Sequence, residues 1–439
     1  MSSPEILKPR PISGFPEWMP NPQSHQDQSI KNIAQIFESF GFLHIETAAV
    51  ELNDVLCAKG VENKEIYSLK RIQAEADEKS KFSLHFDLTV PFARYVAMNQ
   101  GQLTFPFKRY QIQKVWRGER PAKGRFREFY QCDIDIVGIE TLSINYEAEV
   151  IDIMSEVFKK LDIGNVAFKL NHRKLLEGFY NSIDITGDLF PKVLIEVDKI
   201  EKIGVEKMKT VLTDLDLNDN QILKIIEFAE LKCDAADFES IMQKFNCEDK
   251  LFKEGVDELN TVFNLITIPE GFSLQWCGSI TRGLNYYTGC IFETEMENAP
   301  ELGSICSGGR YENLCGRFSK SKLPGVGISL GLTRLLSHLF SNDLRYNKPA
   351  FNYSNILIAP FDHQQYLNLK PLASSLRAKG LKVEMSPPVK LKKNMSYADK
   401  KNIPFVIIPN DDNSFELKDM EKGEQHKLSH EELLDYKYL

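Results

Sequence analysis

The chain lacks the features that mark several common classes of nucleotide-using and membrane proteins. It has no run of about 18 apolar residues, so no transmembrane helix is expected, and no apolar stretch near its start predicts a secretory signal. It has no GxxxxGK[ST] sequence and no GxGxxG sequence that opens a helix after a strand. If this protein binds a nucleotide, the binding site must be of a different kind from these two glycine-rich loops.

Closely spaced cysteine pairs are also absent. The eight cysteines include no CxxC sequence. Cys277, Cys290, Cys306 and Cys315 are 13, 16 and 9 residues apart, whereas structural zinc sites use paired short loops. We therefore expect no zinc, and reduced, mostly buried thiols in a cytoplasmic protein.

Length and composition indicate a globular protein of several domains. At 439 residues the chain exceeds one compact core, so two or three domains are expected. Hydrophobic residues make up 42% and charged residues 26%, which is typical of globular chains.

The most informative stretch covers residues 107–138. Polar and apolar residues alternate there in two runs, which is typical of strands with one buried face. We predict a strand over Lys108–Arg117, a loop over Gly118–Arg127 and a strand over Phe129–Val137. Side chains two apart share a face of a strand. In the second strand one face therefore carries Gln131, Asp133 and Asp135, and the other carries Cys132, Ile134 and Ile136.

This hairpin is basic in an acidic chain. The formal net charge of the chain is −8, yet residues 101–130 hold eight basic and two acidic side chains. Such a patch suggests a polyanionic partner, and the planar guanidinium suits phosphate oxygens because it donates two hydrogen bonds at once. On charge alone, a solvated surface hairpin is an equal alternative. Asp133 and Asp135 favour a ligand site, because carboxylates on a covered face need a partner.

The hairpin resembles motif 2 of the class II aminoacyl-tRNA synthetases, and the histidyl-tRNA synthetase family in particular. RGLNYYTG is the most specific supporting string, because an arginine followed by paired tyrosines marks the histidyl family within the class. The resemblance runs from about residue 10 to the C-terminus. The strings that carry it are FDLTVPFARY (Phe86–Tyr95), RGLNYYTG (Arg282–Gly289), GGRYE (Gly308–Glu312), GVGISLGLTRLL (Gly325–Leu336) and LKKNMSYADK (Leu391–Lys400).

The resemblance implies an α/β (α+β) fold. This fold comprises a class II synthetase-type antiparallel sheet flanked by helices, a helical insertion and a C-terminal α/β anticodon-binding domain. The predicted catalytic domain covers residues 1–170 and 266–340, the insertion 171–265, a linker 341–354 and the last domain 355–439. In that last domain strands and helices alternate, which predicts a parallel or mixed sheet.

Two segments near the start have more than one interpretation. A helix over Ser29–Phe40 followed by a strand over His44–Glu51 resembles motif 1, which implies a homodimer, although an ordinary core helix has the same pattern. Leu84–Val90 alternates like a strand and precedes a helix that starts near Pro91. Asp87 in that stretch either holds an ammonium group or caps the helix.

The resemblance implies activation of histidine by ATP, with Mg²⁺ on the phosphates, followed by transfer to tRNA(His). The amino-acid carboxylate attacks the α-phosphorus and pyrophosphate leaves, which asks the protein mainly for alignment and charge stabilisation. The residues that match the family's catalytic and ATP-binding positions are Arg117 and Arg282 at the α-phosphate and substrate carboxylate, Arg125 and Arg334 at the outer phosphates, and Glu119 and Phe129 at the adenine.

Histidine recognition requires a site that reads a neutral imidazole, which offers one donor and one acceptor. A polar pocket of this kind rejects other amino acids without editing, and no editing domain is expected. The residues that match the family's histidine-binding positions are Asp135 and Tyr287 at the ring nitrogens, Asp87, Thr89 and Gln131 at the amino group, Leu88 contributing backbone, Tyr286 lining the pocket, and Arg117 and Arg282 at the carboxylate.

Two positions depart from the family pattern. Asn285 stands where the family usually has aspartate, and Thr333 stands where motif 3 usually has glutamate, which puts the support of the neighbouring arginines in question.

Residues 376–403 hold eight basic and two acidic side chains. The resemblance makes this region a tRNA-binding surface, and a lysine-rich surface without a ligand is the alternative. Its predicted tRNA contacts are Lys390, Lys392 and Lys393.

Two other functions compete with the ligase. A non-catalytic paralogue that binds histidine and regulates the first enzyme of histidine biosynthesis would lack the anticodon-binding domain and the arginine–tyrosine string, and this chain keeps both. A class II enzyme for threonine, proline or glycine would lack the paired tyrosines. The sequence therefore favours the ligase.

Overall fold

A computed structural model describes residues 7–57, 65–75, 80–281, 287–312 and 314–438, with the backbone alone at 314 and 317. The chain divides into two compact units, Met1–Asn347 and Lys348–Leu439. Within the described ranges, no helix combines the length and apolar character that a membrane span requires.

Both strands and helices occur throughout the described residues. The strands are β1 (Leu43–His44), β2 (Val50–Leu52), β3 (Ser68–Leu69), β4 (Phe82–Leu84), β5 (Phe107–Trp116), β6 (Glu128–Val137), β7 (Val166–His172), β8 (Lys232–Asp234), β9 (Ser273–Cys277), β10 (Cys290–Met296), β11 (Cys306–Tyr311), β12 (Gly325–Gly331), β13 (Ile356–Ile358), β14 (Val383–Met385), β15 (Phe405–Pro409), β16 (Phe415–Asp419) and β17 (Gln425–Leu428). The helices are α1 (Pro20–Ser39), α2 (Asn53–Leu56), α3 (Thr89–Asn99), α4 (Asn145–Leu161), α5 (Arg173–Asn181), α6 (Leu189–Val197), α7 (Ile200–Ile203), α8 (Val205–Thr213), α9 (Asp219–Glu230), α10 (Phe238–Gln243), α11 (Lys250–Leu265), α12 (Leu332–Asn342), α13 (His363–Ala378), α14 (Leu391–Lys400) and α15 (His430–Asp435).

The first unit is built on a nine-stranded sheet in the order β1-β5-β6-β12-β11-β10-β7-β9-β8. In this order the six strands β5, β6, β12, β11, β10 and β7 are antiparallel to one another in sequence. Strand β1 joins β5 in parallel, and β9 joins β7 in parallel. The predicted fold class is confirmed: a large, mostly antiparallel sheet flanked by helices, with a separate C-terminal sheet domain. The predicted hairpin is confirmed to within one residue at each strand end.

The core lies on the apolar face of β6. Cys132, Ile134 and Ile136 are fully buried there, as the alternation predicted, in one hydrophobic cluster with residues of α1 and α4. Helix α4 supplies the buried Val150, Ile153, Met154 and Val157 at helical spacing. Fully burying a side chain of this size contributes roughly 1.5–3 kcal/mol, so this face of the sheet is fixed by packing.

The predicted strand over His44–Glu51 is wrong. The chain pairs with β5 only at Leu43 and His44, leaves the large sheet and then pairs with β4 through Val50–Leu52. One alternating run therefore serves two different sheets. The preceding helix α1 was predicted to begin at Ser29 but begins at Pro20, because proline suits the first position of a helix.

The predicted strand over Leu84–Val90 is also wrong in its second half. Strand β4 ends at Leu84 and α3 begins at Thr89, because Pro91 is well placed in the first turn of a helix. Asp87 and Thr89 therefore do not share a strand face. The Val90 N–H donates to Asp87 Oδ1 over 3.2 Å, so Asp87 does cap the helix.

Two further predictions differ from the structure in their bounds. The sequence from Tyr286 to Phe292 is strand-like and predicts a strand there, whereas the strand is observed at Cys290–Met296; Tyr286 lies outside the described residues. The segment 341–354, predicted as a linker without periodicity, contains the end of α12 and a 3-10 helix at Leu344–Asn347.

The second unit has a five-stranded mixed sheet in the order β14-β13-β15-β16-β17. The predicted alternation appears as β13-α13-β14-α14-β15, with β13 parallel to both neighbours. The hairpin β16–β17 and helix α15 were not predicted, because their short apolar alternation is interrupted by charged and polar turn residues.

Candidate active site

The polar face of β6 forms the floor of a cleft. The strand register places Gln131, Asp133 and Asp135 opposite Gly331, Ser329 and Gly327 of β12, in that order. A Cβ atom at Gly327 would lie 2.2 Å from Asp135 Oδ1. Glycine is therefore required there for the carboxylate to lie flat against the neighbouring strand.

The larger cavity in this cleft, the arginine cavity, has a volume of about 220 Å³. Arg117 holds its position by donating from Nε to the Phe86 carbonyl oxygen over 3.0 Å, and its guanidinium lies 5.1 Å from the centre of the Phe129 ring. The cavity therefore combines guanidinium groups with an aromatic face. Its lining residues are Arg117, Glu119, Gly124, Arg125, Phe126, Phe129, Gln131, Ser304, Ile305, Cys306, Ser307, Ser329, Gly331 and Arg334.

The other two arginines of this cavity are held differently. Arg334, in the first turn of α12, donates from Nε to the Gly124 oxygen over 2.9 Å and from Nη1 to the Ser304 oxygen over 2.8 Å. Arg125 is half-exposed, with Nη1 3.8 Å from Glu119 Oε2. Among the described residues, those predicted to bind ATP all line this cavity: Arg117, Glu119, Arg125, Phe129 and Arg334.

A smaller cavity, the acidic cavity, adjoins the first and shares Ser307 and Ser329 with it. Thr89, Asp135 and Tyr287 come together there, as the family positions implied. Leu88 lies at the start of α3 with a fully buried side chain. The acidic cavity is lined by Thr89, Asp133, Asp135, Tyr287, Ser307, Tyr311, Gly327, Ile328 and Ser329.

Asp135 is fixed by two neighbours. Arg109 is fully buried, and its Nη2 lies 2.6 Å from Asp135 Oδ2, while its carbon Cζ lies 4.2 Å from the centre of the Phe92 ring. The Tyr311 hydroxyl donates to Asp135 Oδ1 over 3.0 Å. Arg109 Nε and Nη1 make no hydrogen bond within the described ranges. The single charge of Arg109 faces several acidic groups.

A second chain of hydrogen bonds orders the other polar residues of β6. Gln131 Nε2 donates to Ser329 Oγ over 2.7 Å, and Ser329 Oγ donates to Asp133 Oδ1 over 2.5 Å. Gln131 Oε1 is buried and has no partner in the part of the chain that the structure describes. The face therefore presents acceptors to a ligand that carries donors.

The acidic groups have raised pKa values because burial removes them from water. Desolvation raises the pKa of Asp133 to about 7 and that of Asp135 to about 6, although Arg109 opposes both shifts. Desolvation likewise raises the pKa of Asp87 to about 6. A cationic or hydrogen-donating ligand would stabilise their ionised forms.

The structure does not describe every residue predicted for the site. Arg282, Asn285 and Tyr286 lie outside the described residues. Thr333, where the family usually has glutamate, is buried, and its Oγ1 accepts from the Tyr130 N–H over 2.9 Å. This side chain therefore ties α12 to the end of β6 beside Phe129.

The hairpin charges that suggested a polyanion are not all free. Lys108 pairs with Glu149 at 2.5 Å and Lys114 with Glu128 at 2.6 Å, and Arg109 is buried. In the sequence Arg109 resembles a surface charge, and neither Arg109 nor Tyr311 was predicted as a site residue. The cross-strand register pairs Arg109 with Asp135. This pairing identifies Arg109 as a site residue.

In the second unit, Lys390, Lys392 and Lys393 are exposed at the start of α14. Helix N-termini favour acidic side chains because of the helix dipole, and the first turn of α14 has none. The lysines therefore bring like charge to the positive end of the helix.

The fold and the cleft are those of the class II aminoacyl-tRNA synthetases. Residues 14–335 match the family model described as histidyl-tRNA synthetase, and residues 355–436 match the anticodon binding domain. Over 433 residues the chain is 43% identical to the histidine–tRNA ligase of Thermobifida fusca (strain YX), covering 97% of this chain and 98% of that protein. The chain belongs to the histidyl-tRNA synthetase family.

Solved structures agree with this assignment. The histidyl-tRNA synthetase from Nostoc sp. PCC 7120 superposes with a TM-score of 0.85 at 37% identity and covers 98% of this chain and 99% of that chain. An ATP phosphoribosyltransferase regulatory subunit/histidyl-tRNA synthetase from Bacillus halodurans C superposes with a TM-score of 0.74 at 17% identity, covering 92% and 99% of the two chains. The second likeness concerns the fold alone.

Proposed function

We propose that this chain is a histidine–tRNA ligase. It activates L-histidine with ATP to histidyl-adenylate and transfers the histidyl group to the 3′ end of tRNA(His) for protein synthesis. The observation that carries the proposal is the cleft, in which an arginine-lined cavity and a carboxylate-lined cavity adjoin on one sheet face. Family membership and the anticodon binding domain at residues 355–436 support it.

In this proposal the arginine cavity holds ATP. Arg117, together with Arg282, stabilises the α-phosphate as the substrate carboxylate attacks it, and positive charge there favours the transition state over the ground state. Arg125 and Arg334 hold the outer phosphates. Phe129 stacks on the adenine and Glu119 accepts from its amino group.

The acidic cavity and its neighbours hold histidine. Asp87, Thr89 and Gln131 bind the ammonium group, and the unpartnered Gln131 Oε1 is a suitable acceptor for it. The ring nitrogens pair with Asp135 and Tyr287. Leu88 contributes backbone and Tyr286 lines the pocket, while Arg117 and Arg282 hold the substrate carboxylate.

Mg²⁺ is proposed to enter with the nucleotide. Among the residues that the structure describes, no group of three or more His, Cys, Asp or Glu side chains could hold a metal ion. Mg²⁺ commonly binds through substrate phosphates with few protein ligands, and it would bridge the ATP phosphates here. The absence of zinc stays a prediction.

The proposed reaction is tested by ATP–pyrophosphate exchange and by tRNA charging with each of the twenty amino acids. Histidine alone is expected to support both reactions, and Arg282→Ala is expected to lose nearly all exchange. Absent exchange would favour the regulatory paralogue, and exchange that survives this substitution intact would contradict the role proposed for Arg282. Charging with another amino acid would favour a different class II enzyme.

We also propose that the start of α14 contacts tRNA. Replacing Lys392 and Lys393 together by alanine is expected to weaken tRNA binding and to flatten its dependence on salt, because each phosphate contact releases counterions. Histidine-dependent exchange should not change. Filter binding at several salt concentrations measures the effect, with Lys370→Ala/Lys422→Ala as a charge-matched control. Equal loss of exchange would contradict this assignment.

The proposed homodimer would use the small sheet of β2, β3 and β4. Leu52 and Phe82 lie opposite each other across β2 and β4, and their side chains are 48% and 50% exposed, with Val50 beside them at 42%. Apolar pairs left in water on one sheet face are typical of interfaces. The motif 1 resemblance makes a second copy of the chain the partner.

Phe82→Glu is therefore expected to shift the protein from dimer to monomer, because a buried carboxylate without a partner is costly. Sedimentation analysis measures the mass, and Leu223→Glu, at another exposed apolar residue, is the matched control. A wild-type monomer, or an unchanged dimer in Phe82→Glu, would contradict the proposed interface.

A cytoplasmic location stays part of the proposal. All eight cysteines are unpaired, which is compatible with a reducing compartment. The domain boundaries given from the sequence, including the helical insertion at 171–265, also stay proposals, and α5 to α11 fall within that range.

A further inference from the structure

Asp133 has no role in the assignments above, yet it lies at the centre of the polar face. It stands between Gln131 and Asp135 on β6, and its side chain lines the acidic cavity with Thr89 and Tyr287. Asp133 is only 1% exposed. A buried carboxylate at a ligand cavity requires a stated partner.

The two neighbouring carboxylates differ in how their oxygens are used. Each oxygen of Asp135 has a close partner: the Tyr311 hydroxyl donates to Oδ1 over 3.0 Å, and Arg109 Nη2 forms an ion pair with Oδ2 at 2.6 Å. Asp133 has Ser329 at Oδ1, at 2.5 Å. Its Oδ2 has neither a hydrogen bond nor an ion pair to any residue in the described ranges. Asp133 is thus the carboxylate with an oxygen available for a ligand.

The surroundings indicate which part of a ligand reaches that oxygen. Gln131 lines the arginine cavity and not the acidic one, whereas Asp133 and Tyr287 line the acidic one and not the arginine cavity. In the proposed reaction, the substrate carboxylate must face the phosphates in the arginine cavity. The amino acid's side chain then extends toward Asp133.

We propose that Asp133 is a specificity-determining residue that accepts a hydrogen bond from the imidazole N–H of bound histidine. Asp133 then shares the single ring N–H with Asp135 in a three-centre hydrogen bond, while Tyr287 pairs with the other ring nitrogen and Arg109 and Tyr311 hold Asp135 in its rotamer. This inference rests on the proposed function and assigns a further residue within the same site. The raised pKa of Asp133 agrees with a carboxyl whose desolvation no protein cation fully offsets.

The test uses Asp133→Asn and Asp133→Ser in the full chain. In the asparagine variant, the amide oxygen is needed to accept from Ser329, so the amide nitrogen faces the cavity and presents a donor to the ring N–H. We expect the KM for histidine in ATP–pyrophosphate exchange to rise by about tenfold or more, the effect of losing a hydrogen bond to a charged group. The KM for ATP should not change. Asp152→Asn, on helix α4, is the matched control.

Imidazolepropanoate, which has the ring but no amino group, separates the two possible contacts. If Asp133 reads the ring, the inhibition constant of this compound rises in the variants by about the same factor as the KM for histidine. An unchanged inhibition constant beside a raised KM would assign Asp133 to the amino group and overturn the proposal.

Unchanged values for both compounds would also overturn it. Thermal unfolding identifies a variant that fails to fold, and the other variant then decides the result. A wild-type chain without histidine-dependent exchange would instead reject the proposed function, so the two failures are distinguishable.

Discussion

Arg117→Ala is expected to reduce the rate of histidine-dependent ATP–pyrophosphate exchange by about 10²–10³-fold, the usual effect of removing one preorganised donor to developing charge. Arg117 is preorganised because its Nε is already bonded to the Phe86 oxygen at 3.0 Å. The rest of its guanidinium extends over Phe129 in the arginine cavity. In the proposed reaction this side chain would therefore not need to reorient when the α-phosphate arrives.

Arg117→Lys is expected to recover little of this activity. The lysine ammonium cannot donate to the Phe86 oxygen and to a phosphate in the same fixed geometry, because it lacks the planar fork. Arg120→Ala removes an exposed arginine of the same hairpin that does not line the cavity, and its exchange rate should match that of the wild type. Equal losses in the Arg117 and Arg120 variants would show that general charge, and not geometry, drives the reaction.

The two segments predicted best and worst show what alternation can reveal. The β5–β6 hairpin was predicted well because each strand lies within one sheet, with one face on the core, so period two persists for its full length. The stretch from Leu84 to Val90 alternates as well, but Pro91 and the capping Asp87 start a helix inside it. Local capping chemistry overrode a short periodic pattern there.

The site was predictable where single residues matched family positions and unpredictable where pairing across strands decides the role. Arg109 resembles its basic neighbours in sequence, and only the register with Asp135 shows that it is a buried counter-ion. Tyr311 reaches Asp135 from β11, which is 176 positions further along the chain. Thr333 departs from the family pattern, and its contact with the Tyr130 N–H depends on how α12 meets β6.

Arg109→Met is expected to lower the free energy of unfolding of the first unit by about 3–5 kcal/mol, the usual effect of removing one partner of a buried ion pair. Arg109 is fully buried against Asp135, and its charge also lowers the pKa values of Asp87 and Asp133. Without it, three acidic groups face each other in a desolvated site. Methionine keeps much of the packing against Phe92.

The pH dependence distinguishes lost charge from lost packing. Carboxyls whose pKa is raised in the folded state bind more protons folded than unfolded, so their contribution to stability is greatest at low pH and is lost as pH rises through the folded pKa. With Asp87 and Asp135 already at about 6 and Asp133 at about 7, removing Arg109 raises these values further. The deficit of Arg109→Met should therefore grow from pH 5 toward pH 8 (about the range of these pKa values).

Denaturant unfolding of the first unit at several pH values measures this deficit. Arg345→Met, which removes a half-exposed surface ion pair with Asp343, is the control and should cost about 1 kcal/mol or less. Adding Asp135→Asn to Arg109→Met should recover part of the stability, because it removes one of the unpaired charges. A deficit that is independent of pH, or that Asp135→Asn deepens, would mean that Arg109 acts through packing alone. The guanidinium would then not be the charge that allows Asp87, Asp133 and Asp135 to lie near one another.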